Sequence, residues 1–125
     1  MRRLRVPYDA RIGTMSAGET RRVQIVGALA TWPQLIVADE ITATLDILGR
    51  RTFLSLLQER QRTRGATIVL ATNLPEGLDA YADHVLLISR GHQLAFGLLP
   101  SVLDGQASLA DAVAARLQDH DGPLR

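Results

Sequence analysis

The chain has no cysteine and no lysine among its 125 residues, and each absence removes a block of chemistry. Without cysteine there is no disulfide framework, no thiolate nucleophile and no cysteine-ligated zinc or iron–sulfur centre, and the redox compartment stays open. Without lysine no Schiff base can hold a carbonyl substrate or pyridoxal phosphate. No phosphate-binding loop ending in Gly-Lys-Ser/Thr occurs within the sequence either. Long apolar runs are also missing: Leu35 to Ala38 and Val85 to Ile88 fall far below the roughly 18 to 20 residues of a membrane helix. The basic opening Met1-Arg2-Arg3-Leu4-Arg5 is followed by Val6-Pro7-Tyr8-Asp9, where a secretory signal needs an apolar stretch. A cytoplasmic chain is the expectation.

Charge is nearly balanced. The 14 basic residues, all arginine, face 13 acidic ones for a formal charge of +1, which argues against a nucleic-acid-binding surface as the main activity. No direct nucleic-acid contact is expected. With 46% hydrophobic residues in 125, the chain has material for one modest core, so residues 1–125 are read as a single domain.

Along the chain, helical and strand-like segments alternate, the pattern of an α/β domain with a mostly parallel sheet and flanking helices. Ser16-Ala17-Gly18-Glu19 opens a helix with Val23, Val26 and Ala30 on one face, and Trp32-Pro33 ends it. Leu35-Ile36-Val37-Ala38 reads as a buried parallel strand running into Asp39-Glu40. A helix from Ile47 to about Arg64 points Leu48, Phe53, Leu56 and Leu57 inward and its arginines outward, with Asp46 as N-cap and Gly65 closing it. Thr67 to Ala71 is a second buried strand, followed by Thr72-Asn73 and a short helix from about Pro75 to Tyr81. His84 to Ser89 and Gln93 to Phe96 flank Arg90-Gly91-His92 as an antiparallel, C-terminal hairpin. Leu99 to Leu103 and Leu109 to Leu117 are helical, and His120 to Arg125 read as a frayed end. Trp32 reads as a packing residue, and Arg60 to Arg64 as a solvent-facing helix surface.

Ligands of parallel sheets gather beyond the carboxyl ends of the strands, so Asp39-Glu40 and Thr72-Asn73 project toward one edge if their strands are neighbours. Asp39 there suits magnesium, a hard cation that prefers oxygen ligands, and Glu40 is placed to polarise a water for attack on phosphate. The plainer alternative is that both carboxylates only cap or solvate a loop. Ser16-x-x-Glu19 likewise satisfies the capping-box rule and needs no ligand to explain it.

Four motifs stand in an order and spacing that change this balance. Met15-Ser16-Ala17-Gly18-Glu19 with the following Thr20 to Ile25 resembles the signature motif and helix of the ATP-binding cassette (ABC) ATPases. Leu35 to Glu40 resembles the Walker B strand and Thr44-Leu45-Asp46 the D-loop, while Asn73 lies where the switch histidine is expected. The resemblance covers roughly residues 12 to 104, the C-terminal half of such a domain. Ile41 in place of the usual proline, and the run from Arg64 to Thr72, look most like the soluble, non-transporter members. A partial P-loop NTPase fold of ABC type is implied.

The resemblance implies ATP and Mg2+ as cofactors, both only with a completing half or partner. Asp39 is implied as the metal ligand, Glu40 and Asn73 as catalytic, and Ser16, Ala17, Gly18, Glu19 and Asp46 as nucleotide-contacting residues presented across a dimer. Three features depart from the family. The Gly-rich loop with its lysine and the glutamine loop are expected to lie before residue 1, so the isolated chain should bind ATP poorly and turn over little. Asn73 cannot take the charge or proton of a histidine. Glu19 stands where glutamine is commoner, a repulsive choice beside a triphosphate unless it turns back into the capping box.

A gene fragment, a split cassette and a degenerate partner all fit these departures. A fragment is expected to expose apolar faces and to associate or precipitate. Implied partners are a second ABC ATPase subunit or a homodimer, and beyond it a membrane permease or regulatory complex. The competing function is a pseudo-cassette that does not hydrolyse ATP and acts by interaction.

Overall fold

The structure, a computed structural model, describes Val6 and residues 9–120. Contacts divide the chain into two compact units, Met1–Asn73 and Leu74–Arg125.

In the first unit a short 3-10 turn, Ile12–Thr14, precedes helix α1, Ala17–Ala30. Ser16 caps α1: its hydroxyl accepts from the Glu19 backbone N–H at 3.2 Å, and the Ser16 N–H donates to the Glu19 carboxylate at 2.8 Å. Both halves of the capping box are thus made, satisfying amides that a helix start otherwise leaves without partners. The helix buries Ile25 and Leu29, with Val26 packed beside them, whereas Ala30 is exposed. The expected Val23–Val26–Ala30 face is therefore rotated toward the larger aliphatic pair at i and i+4, which removes more apolar area from water than an alanine can.

Strands β1, Leu35–Asp39, and β2, Thr67–Ala71, pair in parallel, in register from Leu35 opposite Thr67 to Asp39 opposite Ala71. Parallel neighbours need a crossover, and helix α2, Ile47–Arg64, supplies it. Asp46 is its N-cap, accepting from the Gly49 N–H at 2.6 Å, and Gly49 leaves room because a Cβ there would stand 2.9 Å from that carboxylate oxygen. Gly65 closes the helix in the left-handed conformation, φ 64°, its N–H returning to the Gln61 carbonyl at 2.9 Å. Phe53, Leu54 and Leu57 are buried, but Leu48 is 69% exposed. Five residues separate Leu48 from Phe53, about 140° around a helix at 3.6 residues per turn, so both cannot share one apolar stripe.

Ile25 and Leu29 of α1, Ala38 of β1, and Phe53 and Leu57 of α2 form one core, with Ile36, Ile68 and Leu70 packed against it. Strand side chains alternate between faces, so both helices lie over the Ile36–Ala38–Ile68–Leu70 side of the β1–β2 pair. On the opposite side Leu35, Val37 and Val69 are 59, 68 and 51% exposed. The expectation of strands buried on both faces is corrected here: the unit has helices for one face only.

The second unit holds an antiparallel hairpin of β3, His84–Ser89, and β4, His92–Leu98, with a register shift at Leu87/Ile88. Arg90 and Gly91 make the turn with φ of 49° and 79°, the positive pair of a two-residue hairpin whose twist suits its strands. Helices α3, Leu99–Leu103, and α4, Leu109–His120, follow and bury Val102, Leu109 and Ala112. Ser108 opens α4, accepting from the Asp111 N–H at 3.1 Å.

No helix forms over Pro75–Tyr81. The segment runs as consecutive turns, with the Tyr81 and Ala82 amides both donating to the Leu78 carbonyl at 2.9 Å. Gly77 sits at φ 73°, outside the helical region, and the Asp79 carboxylate accepts the Leu109 N–H at the start of α4 instead of serving a local helix. His120 ends α4, and the rest of the expected frayed end, 121–125, lies outside the described residues. Among the described residues no helix is long and apolar enough to cross a membrane.

Candidate functional site

Because β1 and β2 are in-register parallel neighbours, their carboxyl ends open at one edge, where β1 delivers Asp39 and Glu40 and β2 leads to Thr72 and Asn73. Glu40 continues the pairing for one more residue, its N–H donating to the Ala71 carbonyl at 2.9 Å. The chain then turns sharply: Glu40 has φ 48°, a left-handed conformation that costs a side-chain-bearing residue about 1–3 kcal/mol. Such strain concentrates at sites that need a side chain aimed. Here it swings the carboxylate toward β2, where Glu40 Oε1 accepts the Asn73 backbone N–H at 2.9 Å.

The structure thus brings two sequence-predicted residues together, Glu40 and Asn73, though through the backbone of Asn73 and not its amide side chain. Asp39, one residue earlier, is exposed at the same edge. Among the described residues no group of three or more His, Asp or Glu side chains gathers to hold a metal. The donor set nevertheless fits magnesium in one particular way: Mg2+ commonly takes one or two protein carboxylates and completes its octahedron with water and substrate phosphates.

The other predicted residues form separate groups. Ser16 and Glu19 are joined to each other in the capping box. That box turns the Glu19 carboxylate back onto Ser16 and holds its pKa below the ordinary glutamate value, first through the Ser16 backbone N–H, then through the Ser16 side chain, with the nearby Arg22 charge adding to it. The Ser16 hydroxyl oxygen accepts the Glu19 N–H, and the same hydroxyl helps hold the Glu19 carboxylate ionised. Ala17 and Gly18 fill the first turn, where backbone N–H groups and the helix dipole favour an anion.

Asp46 uses both carboxylate oxygens: Oδ1 caps α2, and Oδ2 meets Arg22 of α1 at 3.3 Å. The D-loop-like residue and the signature-like helix are thereby tied together. Sequence reasoning missed Arg22, because the pair spans 24 positions and no local pattern marks it.

It also missed Trp32. The ring was expected to pack beside Pro33, yet it is 57% exposed and carries the Arg60 guanidinium 3.5 Å from its centroid, with Arg64 at 4.9 Å. Arg60 and Arg64 are therefore not simply a solvent face. Arginines at i and i+4 read as ordinary surface until the fold brings an aromatic ring beneath them.

A parallel pair joined by a helical crossover, with an acid pair turned out at its carboxyl edge and a capped helix start beside the D-loop-like residue, is the arrangement of a P-loop-type ATPase domain in part. Comparison with known proteins narrows this. No family model matches the chain. It is 42% identical over 85 residues to the energy-coupling factor transporter ATP-binding protein EcfA2 of Latilactobacillus sakei, 68% of this chain and 28% of that protein. Against the cobalt import ATP-binding protein CbiO of Rhodobacter capsulatus it is 42% identical over 96 residues, 77% of this chain and 34% of the relative. The methionine import ATP-binding protein MetN of Pasteurella multocida matches at 36% over 103 residues, 82% and 30%. A solved ATP-binding subunit of an ABC transporter superposes with a TM-score of 0.76 at 26% identity, covering 86% of this chain and 46% of that one.

In sequence and in fold the chain corresponds to part of an ATP-binding cassette ATPase domain. It spans about a third or less of the length of the curated relatives it matches. The first of these relatives is named for a transporter and the other two for import, and none is named as the soluble, non-transporter kind expected from Ile41 and the run from Arg64 to Thr72.

Proposed function

We propose that the chain contributes the acid pair, the signature helix and the D-loop to an ABC-type ATP hydrolase, and acts on ATP only together with a completing half or partner cassette. The observation that carries this is the Glu40 carboxylate, aimed by a left-handed backbone and fixed by the Asn73 N–H at the carboxyl edge of the parallel pair, next to Asp39. Glu40 accepts a proton from the attacking water. Asn73 is its positioning partner at the switch position. Asp39 holds Mg2+, which supplies neutralisation of phosphate charge when bound. Ser16, Ala17, Gly18 and the α1 N-terminus offer a hydroxyl, backbone amides and a positive dipole to the terminal phosphate of a nucleotide held by a second subunit or a second copy. Glu19 stays in the capping box, and Asp46 holds the D-loop against Arg22.

Since the 125 residues contain no lysine, the phosphate-cradling loop has to be supplied by other residues. A permease or regulatory complex is the proposed partner of the assembled cassette, at the cytoplasmic side of a membrane, by analogy with relatives named for transport and import. A second reading rests on Asn73, which lacks an ionisable side chain where a histidine is expected. In that reading the chain completes a partner's site without hydrolysis of its own.

ATP turnover with magnesium tests both readings, measured on the chain alone and mixed with a polypeptide carrying the phosphate-binding loop. The expected result is negligible turnover alone and turnover in the mixture that Glu40→Gln lowers about 100-fold or more, the scale of a lost general base. Turnover in the mixture that is indifferent to Glu40→Gln favours the non-hydrolysing reading. Turnover by the chain alone overturns the need for a completing half.

A further inference from the structure

We infer that the groove between Trp32 and the C-terminal half of α2 is a binding site for a carboxylate of an acidic peptide, received by Arg60 and Arg64. The groove lies before the first residue of β1, whereas Asp39 is its last residue and Glu40 follows, about 13 and 16 Å along the strand at 3.3 Å per residue. It is therefore separate from the proposed ATP site.

Four observations converge on it. Trp32 follows the C-cap Thr31 at φ 54°, the left-handed position at which many helices end, and the residue is 57% exposed. A tryptophan retained only for packing has no need of that exposure. The Arg60 guanidinium carbon lies 3.5 Å from the ring centroid and that of Arg64 4.9 Å, so two like charges four residues apart are gathered at one indole. Like charges at that spacing repel, and an anion between them removes the repulsion. Arg60 Nη1 is buried and has no hydrogen-bond partner, and a buried donor of a charged group calls for an acceptor. Finally, the groove has a volume of about 300 Å3, completed by Leu56, Glu59 and Thr63.

Those lining residues define the ligand class. A guanidinium stacked on an indole keeps its in-plane N–H donors for a partner, and their fork matches a planar carboxylate. Glu59 offsets one of the two arginine charges, which leaves the groove suited to a singly charged group over a phosphate dianion. The Thr63 hydroxyl donates to the Glu59 backbone carbonyl at 2.7 Å, so its proton is already committed. Leu56 and the indole give apolar walls for the stem of a glutamate side chain.

Trp32 is the sole tryptophan, so fluorescence excited at the red edge of indole absorption, where the two tyrosines do not absorb, reports on this groove. The chain is titrated with blocked tetraglutamate, with tetraglutamine and with inorganic phosphate, at constant ionic strength and without nucleotide. A saturable fluorescence change with tetraglutamate only is expected, weakened at least 10-fold by Arg60→Gln and also by Arg60→Lys, which keeps the charge but loses the fork. Arg51→Gln, on the same helix outside the groove, should leave it unchanged. Arg64→Gln serves as the second variant where circular dichroism shows Arg60→Gln to be unfolded. No saturable change with tetraglutamate, an equal response to tetraglutamine, equal binding of phosphate, or affinity undiminished in the folded arginine variants overturns the proposal.

Discussion

The two sheets of this chain are both two-stranded and expose apolar surface on one side, yet they solve different problems. β3–β4 is an antiparallel hairpin with Leu86, Ile88, Phe96 and Leu98 each more than half exposed. β1–β2 is a parallel pair with Leu35, Val37 and Val69 in the same condition. Antiparallel sheets commonly face water on one side, whereas parallel sheets are ordinarily covered on both. The open face of β1–β2 is thus the more anomalous of the two, and that sheet also carries the acid pair. Polar chemistry sits at the end of the parallel strands because both chains leave the sheet there together. A hairpin places its chain ends and its turn at opposite edges.

Removing the core under one sheet should have the largest effect. Phe53 is 2% exposed and belongs to the core beneath β1–β2, and Phe53→Ala should cost about 3–5 kcal/mol. Leu109→Ala, at a site 3% exposed beside the hairpin's helices, should cost about 2–5 kcal/mol. Amide hydrogen exchange followed separately over 67–71 and over 84–98 decides whether the two units unfold together. If Phe53→Ala accelerates exchange in β2 and leaves β3–β4 protected, the units are independent; equal acceleration makes them one cooperative structure.

The second effect concerns the joint between α1 and α2. Asp46→Ala removes both the cap on Gly49 and the partner of Arg22, and should destabilise the first unit by about 1–2 kcal/mol, most of it from the cap. Asp46→Asn retains a capping oxygen and should cost less. A double-mutant cycle of Arg22→Ala with Asp46→Ala should give a coupling of only about 0.2–1 kcal/mol, because the Asp46 side chain is 64% exposed and the pair is screened. Chemical denaturation checks both values. A coupling well above that range would make the ion pair a structural clamp.

Much of the first unit was legible from local rules. Ser16 and Glu19 announce a capping box three residues apart, Asp46 and Gly65 punctuate α2, and the short β-branched run before Asp39-Glu40 marks β1. The site's motifs were legible for the same reason, as spacings along the chain. What could not be read were features made by residues distant in sequence: Arg22 meeting Asp46, Arg60 covering Trp32, and the Asn73 backbone rather than its side chain reaching Glu40. Burial on one face of β1–β2 was also hidden, since alternation cannot show which neighbours a sheet has. The Pro75–Tyr81 helix failed because Asp79 is drawn to α4, 30 residues away.

A smaller effect separates the two open faces. Val37→Lys should change stability by no more than about 0.5 kcal/mol, as for surface positions, while reducing self-association of the isolated chain. Ile88→Lys on the hairpin is the matched substitution at 60% exposure. Sedimentation velocity of the two variants tells which apolar face drives association. A larger change for Val37→Lys fits a parallel sheet whose second face is normally covered, and a larger change for Ile88→Lys reverses the assignment.

The mildest perturbation is a change of pH at the start of α1. The Glu19 pKa is lowered in the folded chain, chiefly by the Ser16 backbone N–H, so its contribution is present above the ordinary glutamate value and is lost as pH falls through the lowered one. Acidification from neutral pH into that window should therefore loosen the first turn of α1 before the buried core responds. Glu19→Gln keeps an acceptor for the Ser16 N–H but cannot titrate, so exchange at Ala17–Thr20 should become independent of acid-induced loosening in that variant. Solution NMR of those amides, corrected for intrinsic exchange, measures it. Identical acid loosening in the wild-type chain and Glu19→Gln would show that the Glu19 carboxylate is not its source.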